Sequence, residues 1–233
     1  MTEIDFLDRN FGVKEFLIED ENLTMDRNLV NRFCEALLKS NRGYTWSCPS
    51  GIRLNFIEYD DLVLMKRAGC HSVSVGIEFG TERIHDMTNK RLNLELIREK
   101  VALLARTGIR CTGFFLLGIP GETITEMRQT VQLALTLPLD RIQVNNFMPL
   151  PGSQIWKQLE KENKLGQVDY NRFFVHDVAY VAGGVKRADI KKRQRMAYLR
   201  FYLRWHILVK ILADIRSFGH FVQLAKRFLD AIR

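Results

Sequence analysis

The chain has 233 residues, 46% hydrophobic and 27% charged, as in a folded protein with a sizeable core: one large domain, or one domain with an appendage. No apolar run approaches the roughly 18 to 20 residues that a bilayer span needs, and the acidic start, Met1 to Asp8, is unlike a secretory signal, so cytoplasm is the default expectation. The net charge of +8 is uneven: Lys186 to Arg233 holds 13 Lys and Arg against 3 Asp and Glu, and the remainder 22 against 24, so the basic character belongs to the tail.

Taken in chain order, residues 2 to 10 have helical spacing and 15 to 18 read as a short buried strand. Asp26 caps a helix with Leu29, Val30, Phe33, Leu37 and Leu38 on one side, and Tyr44 to Cys48 is strand-like. The alternation repeats through a helix from Tyr59 to Ala68, a strand from Ser72 to Ile77, a helix from Asn93 to Thr107 and a strand from Arg110 to Leu117. Thr125 to Leu137 (helix), Arg141 to Phe147 (strand) and Ser153 to Asn163 (helix) complete it. Strands alternating with helices, without hairpin signals, predict successive right-handed βαβ units and a parallel sheet of about five strands. Beyond Gly166 the alternation stops: 167–185 is irregular, Ala188 to about Asp214 reads as one long basic amphipathic helix, and a shorter helix runs from Gly219 to the end.

In such a sheet the strand carboxyl ends face one way and their residues converge. The stretch Gly113 to Glu122 is the most informative: an apolar strand stops at Gly118 and turns through Ile119, Pro120 and Gly121 into Glu122. A glycine there lets a flat ligand lie against the backbone, and a carboxylate four residues on can receive its hydroxyls or amine. The other strand ends offer Asp20 with Glu21, Arg53, Glu78, and Asn145 with Asn146. That rim suits a small polar ligand with hydroxyls and a charged amine better than a phosphate. Each residue also has a plainer role: the Pro-Gly turn is common, Asp20 serves as a turn cap, Glu78 as a partner for Arg83, and Arg53 as a partner for the sheet's own acids.

Cys34, Cys48, Cys70 and Cys111 are far apart and form no Cys-x-x-Cys pair, so buried free thiols are expected. The five histidines share no metal-ligand spacing. In the tail, Arg200, Arg204 and Lys210 alternate with Phe201, Tyr202, Trp205, Ile207 and Leu208. The expectation is an apolar face packed on the sheet domain with solvated charges and no nucleic-acid role; weak contact with a membrane surface is the alternative.

Several of these segments together resemble the radical S-adenosylmethionine (SAM) superfamily. Phe16 to Thr24 is similar to its second-strand segment, with Glu21 and Leu23 in place of the usual Asp and Phe. Ala68 to Glu78 is similar to the fourth-strand pattern, with Phe79 where Ser is common. Gly113 to Thr123 resembles the fifth-strand motif lining the adenine, and Met148 to Ser153 the exit of the sixth strand. Arg195 to Arg204 resembles the segment that follows the barrel in many cobalamin-binding members, with Trp205 in place of proline. The resemblance covers roughly residues 4 to 165. It implies a partial (β/α)6, TIM-like barrel over 1–165, an irregular connector over 166–185 and a basic helical extension over 186–233.

By the same resemblance Glu78 approaches the amino or ribose groups of SAM and Gly118 passes the adenine, with Glu122 ending that motif; Asp20 and Asn146 are rim candidates for SAM or substrate. The family's chemistry implies SAM, a [4Fe–4S] cluster on a Cys-x-x-x-Cys-x-x-Cys loop, and for this class cobalamin, with methyl transfer or cyclisation of a small molecule as the reaction. This chain lacks the three-cysteine loop. The expectation is therefore the carboxyl-terminal part of a longer enzyme, without catalysis of its own, whose partner is an upstream half holding the cluster loop and any cobalamin domain. The alternative is a non-catalytic remnant, or a subunit completed by a separate half.

Overall fold

A computed structural model of the protein describes residues 1–20, 23–90, 92–215 and 217–232. Its strands are β1 (Glu15–Leu17), β2 (Thr45–Ile52), β3 (Cys70–Glu78), β4 (Arg110–Leu117) and β5 (Arg141–Asn146), in one sheet ordered β1-β2-β3-β4-β5. The strands are parallel, Glu15 pairing with Thr45 and Trp46 with Cys70, for example. Helices α1 (Thr2–Phe11), α2 (Arg27–Ser40), α3 (Tyr59–Arg67), α4 (Glu82–Met87), α5 (Leu94–Thr107), α6 (Ile124–Thr136) and α7 (Gln154–Lys161) precede, connect and follow them. Sequential order with a helix in every crossover is the connectivity of a partial β/α barrel, the α/β class expected from the alternation. The short helix α4 was not expected.

The chain forms two compact units. Residues 1–77, 91–114 and 137–141 make the first; 78–90, 115–136 and 142–233 make the second. In the first unit, Asp26 caps α2 by accepting from the Leu29 N–H at 3.0 Å, and Asn93 caps α5 through the Leu96 N–H at 2.7 Å. Trp46 is fully buried, its indole N–H donating to the Ala68 carbonyl at 3.0 Å. Asp8 collects Lys14, Arg42 and the Tyr44 hydroxyl, which together hold its carboxyl at about 2. All four cysteines are buried and free, as expected.

In the second unit a core of Phe79, Ile84, Ile119, Phe147, Leu159, Val168 and Tyr180 lies beneath the strand exits. One 3₁₀ turn, Leu165–Gln167, leads into the irregular 167–185 stretch and a second, Tyr170–Arg172, lies within it. The expected long tail helix is two helices, α8 (Arg187–Tyr202) and α9 (Trp205–Ala213), followed by α10 (Phe218–Ile232). Arg204 makes the break. Its backbone is extended, and its guanidinium donates to the carbonyls of Phe201 at 3.1 Å and Leu135 at 2.7 Å while covering the Phe201 ring at 4.0 Å. The helix stops where the resembling motif has proline, although Trp205 stands there.

Helix α8 closes the free edge of β5. The Ile142 N–H donates to the Tyr202 hydroxyl at 3.2 Å, and that hydroxyl donates to the Ile142 carbonyl at 3.1 Å. Four residues earlier on α8, Tyr198 does the same for Val144, at 2.9 and 3.3 Å, and its burial pushes the phenol up to about 12. Another four residues earlier, Gln194 donates to the Val144 carbonyl at 2.7 Å. The Asn146 N–H is taken by the Val175 carbonyl at 2.7 Å. The i, i+4, i+8 spacing keeps the three side chains on one helix face.

The apolar face of the tail is only partly covered: Phe201 and Ile207 are buried, whereas Trp205 is 78% and Leu212 58% exposed. Tyr198→Phe removes the hydroxyl that accepts from the buried Val144 N–H and should cost about 1 to 3 kcal/mol in denaturant unfolding. Tyr170→Phe, at an exposed tyrosine, is the control and should change stability by less than about 0.5 kcal/mol; equal effects would show that the edge contacts are not stabilising.

Candidate functional site

Four of the five expected site residues, Glu78, Gly118, Glu122 and Asn146, lie in the second unit at the exits of β3, β4 and β5; Asp20 lies in the first unit. Glu21 lies outside the described residues. Arg53, expected to pair with the sheet's acids, is exposed, and its backbone N–H donates to Thr24 Oγ1 at 3.0 Å; among the described residues its side chain makes no ion pair.

At the β3 exit Glu78 has φ of +68°, a left-handed conformation that costs a non-glycine residue on the order of 1 kcal/mol and is common at ligand-binding turns. Its carboxylate pairs with Lys90, not with Arg83 as the plainer reading expected. Arg83 instead grips Glu126 at 2.6 and 2.7 Å and the Gly121 carbonyl at 2.8 Å, drawing α4 onto the turn after β4. Glu126 also accepts from the N–H and hydroxyl of Thr123, and Arg83 foremost holds its carboxyl at about 2. This Thr-x-x-Glu capping box is a signal present in the sequence itself.

At the β4 exit Gly118 has φ of +83°, and a Cβ there would stand 2.9 Å from Ile190 Cδ1 of α8. The backbone therefore meets a side chain of the tail at the face where a flat ligand was expected. Glu122 turns back on the same segment, one oxygen accepting from the Gly118 N–H at 2.6 Å. It is 3% exposed, and burial pushes its carboxyl up to about 7 against the pull of the Gly118 and Ile119 amides. Its first task is thus to hold the turn.

The buried polar atoms left over are informative. Among the described residues eight such atoms have no hydrogen-bond partner: Glu122 Oε1, Asn146 Oδ1, His85 Nδ1 and Thr81 Oγ1 lie at or just beyond the exits of β3, β4 and β5 in the second unit, and the other four are on Asn31, His71, Arg193 and Arg204. An unpartnered buried acceptor costs about 1 to 3 kcal/mol, so each of the four at the strand exits is a candidate ligand contact.

A SAM nucleoside and amino group, rich in N–H and O–H donors, fits those acceptors. An iron–sulfur cluster does not fit the side chains present. No group of three His, Cys, Asp or Glu among the described residues could hold a metal, and burial raises every thiol, Cys34 and Cys70 to about 12, away from the thiolate a cluster needs.

Glu122 makes stability depend on pH. Its carboxyl is raised from 4.5 to about 7, so the folded state holds an extra proton between those values. The stability from that proton is full below about pH 4.5 and is lost as pH rises to about 7. Glu122→Gln should therefore gain on the parent by about 3 kcal/mol between pH 4 and pH 8 in denaturant unfolding; a constant difference would overturn the assignment.

Comparison with known proteins agrees with this fold. The chain is 26% identical over 216 residues to an uncharacterized methyltransferase of Pyrococcus horikoshii, covering 93% of this chain and 47% of that protein. It is 25% identical over 201 residues to the anaerobic magnesium-protoporphyrin IX monomethyl ester cyclase of Rubrivivax gelatinosus, covering 86% and 36%. The chain thus spans less than half the length of these relatives. Among solved structures, the cobalamin-dependent SAM radical enzyme OxsB matches over 99% of this chain and 40% of its own, with a TM-score of 0.65 at 11% identity. The methyltransferase TsrM of Kitasatospora setae, solved with cobalamin and a [4Fe–4S] cluster, matches over 69% and 30%, with a TM-score of 0.61 at 17% identity. These two show a shared fold. Residues 2–134 match the family description of the radical SAM superfamily, and the chain belongs to that superfamily.

Proposed function

We propose that this chain supplies the SAM-binding rim of a radical SAM enzyme of the cobalamin-binding class, the cluster thiolates coming from outside these residues. The observation that carries the reading is the set of unpartnered buried acceptors at three successive strand exits, beside left-handed backbone at Glu78 and Gly118. Asn146, and Glu122 once ionised above about pH 7, would accept ligand N–H or O–H groups, and Glu78, once shared with or released by Lys90, would meet the amino or ribose groups. When bound together, cluster and SAM supply a deoxyadenosyl radical in this family; the residues here bind and orient.

That the cluster thiolates lie outside these residues is supported by the cysteines present, which are too buried and too spread to ligate iron. It is supported too by β1, the other terminal strand, three residues long with Leu17 exposed. A terminal strand presents unpaired N–H and C=O groups to another chain. Such a protein acts on a small molecule only when completed. Alone, after anaerobic reconstitution, it should bind SAM and acquire no stoichiometric cluster; a full iron complement with the matching visible absorbance would refute the two-part reading.

A second reading rests on the tail. Trp205, Val209 and Leu212 are exposed at i, i+4 and i+7 of α9, amid a segment of net charge +10, which complements an anionic lipid surface. None of the helices is long and apolar enough to cross a membrane among the described residues. Co-sedimentation should rise several-fold when phosphatidylglycerol is added to phosphatidylcholine vesicles and return to baseline in Trp205→Ser/Leu212→Ser; equal binding to both vesicles would end this reading.

A further inference from the structure

Resting on the SAM-rim reading, we infer that Gln194, in the tail helix α8, is a positioning residue that fixes which way the Asn146 amide lies, so that Oδ1 stands ready to take a ligand N–H or O–H. The argument follows hydrogen-bond polarity. The Val144 carbonyl can only accept, so the Gln194 group 2.7 Å from it is the Nε2 amine. Gln194 Oε1 must then face the other way, toward Asn146.

There it accepts from Asn146 Nδ2 at 3.1 Å. One of the two Nδ2 hydrogens is held by Gln194, which fixes the way the Asn146 amide lies, and Oδ1, on its other side, is buried without a partner among the described residues. Both side chains are nearly sealed, at 2% and 3% exposure, so bulk water is a poor substitute. A carbonyl oxygen so placed accepts hydrogen bonds and repels another acceptor. The backbone of β5 thus dictates, through a helix some fifty residues later in the chain, which polarity of ligand the rim takes.

The test is ligand discrimination by the whole chain, with S-adenosylhomocysteine and three counterparts, each lacking one donor: the inosine form, the 2′-deoxy form and the 3′-deoxy form. In the parent chain one of the three should bind about tenfold more weakly than S-adenosylhomocysteine, the loss expected for one unpaired buried acceptor. Gln194→Leu frees the Asn146 amide to turn and should cut that discrimination to within about twofold. Val144 keeps its bond to Tyr198, so the edge remains held.

Gln194→Glu is the decisive variant. A buried carboxyl still accepts from Asn146 and, protonated, donates to Val144, so discrimination should persist. A purely structural role would make Leu and Glu equivalent at this position. The inference is overturned if all four ligands bind the parent equally, or if Gln194→Leu keeps the discrimination. Failure of the parent to bind any of the four would instead overturn the SAM-rim reading on which the inference stands.

Discussion

The edge of β5 is the constraint on which the second unit depends. A terminal strand offers alternate N–H and C=O groups that must be paired or hydrated. Here α8 places Gln194, Tyr198 and Tyr202 at successive four-residue intervals, and their side chains bond the strand at residues 142 and 144. Side chains thereby take the place of a neighbouring strand. Because both hydroxyls donate and accept, each tyrosine satisfies two backbone groups with one oxygen.

That closure also shapes the rim. The face of α8 that binds β5 extends through Ile190 to Gly118 and through Gln194 to Asn146. A tail that looks like a solvated basic appendage in composition is thus part of the candidate site. Its charged residues fall largely on the opposite face, with Lys192, Arg195 and Arg200 exposed, which explains why the basic excess and the packing coexist on one helix.

Hydrogen-bond satisfaction separates scaffold from site. Arg83, Glu126 and Thr123 saturate one another and fix the turn after β4. Glu122 and Asn146 are each satisfied on one atom and unsatisfied on the other. The first pattern is that of a brace, the second that of a group held in place for a ligand. The cysteines fall on neither side: buried, raised in pKa and dispersed, they pack as small hydrophobes.

Sequence alone determined the α/β class, the five strands and the helix start capped by Asp26. Those features are set by local periodicity and capping within a few residues of each other. It also determined the Gly118 turn and the absence of a three-cysteine loop. Only tertiary structure decided that Glu78 meets Lys90 rather than Arg83, that Arg204 breaks the tail helix by reaching Leu135, and that Gln194 orients Asn146. Each of those outcomes is a competition among partners distant in the chain. Spacing says which face a side chain is on, but hydrogen-bond polarity and burial, set by what that face meets, decide what it does there.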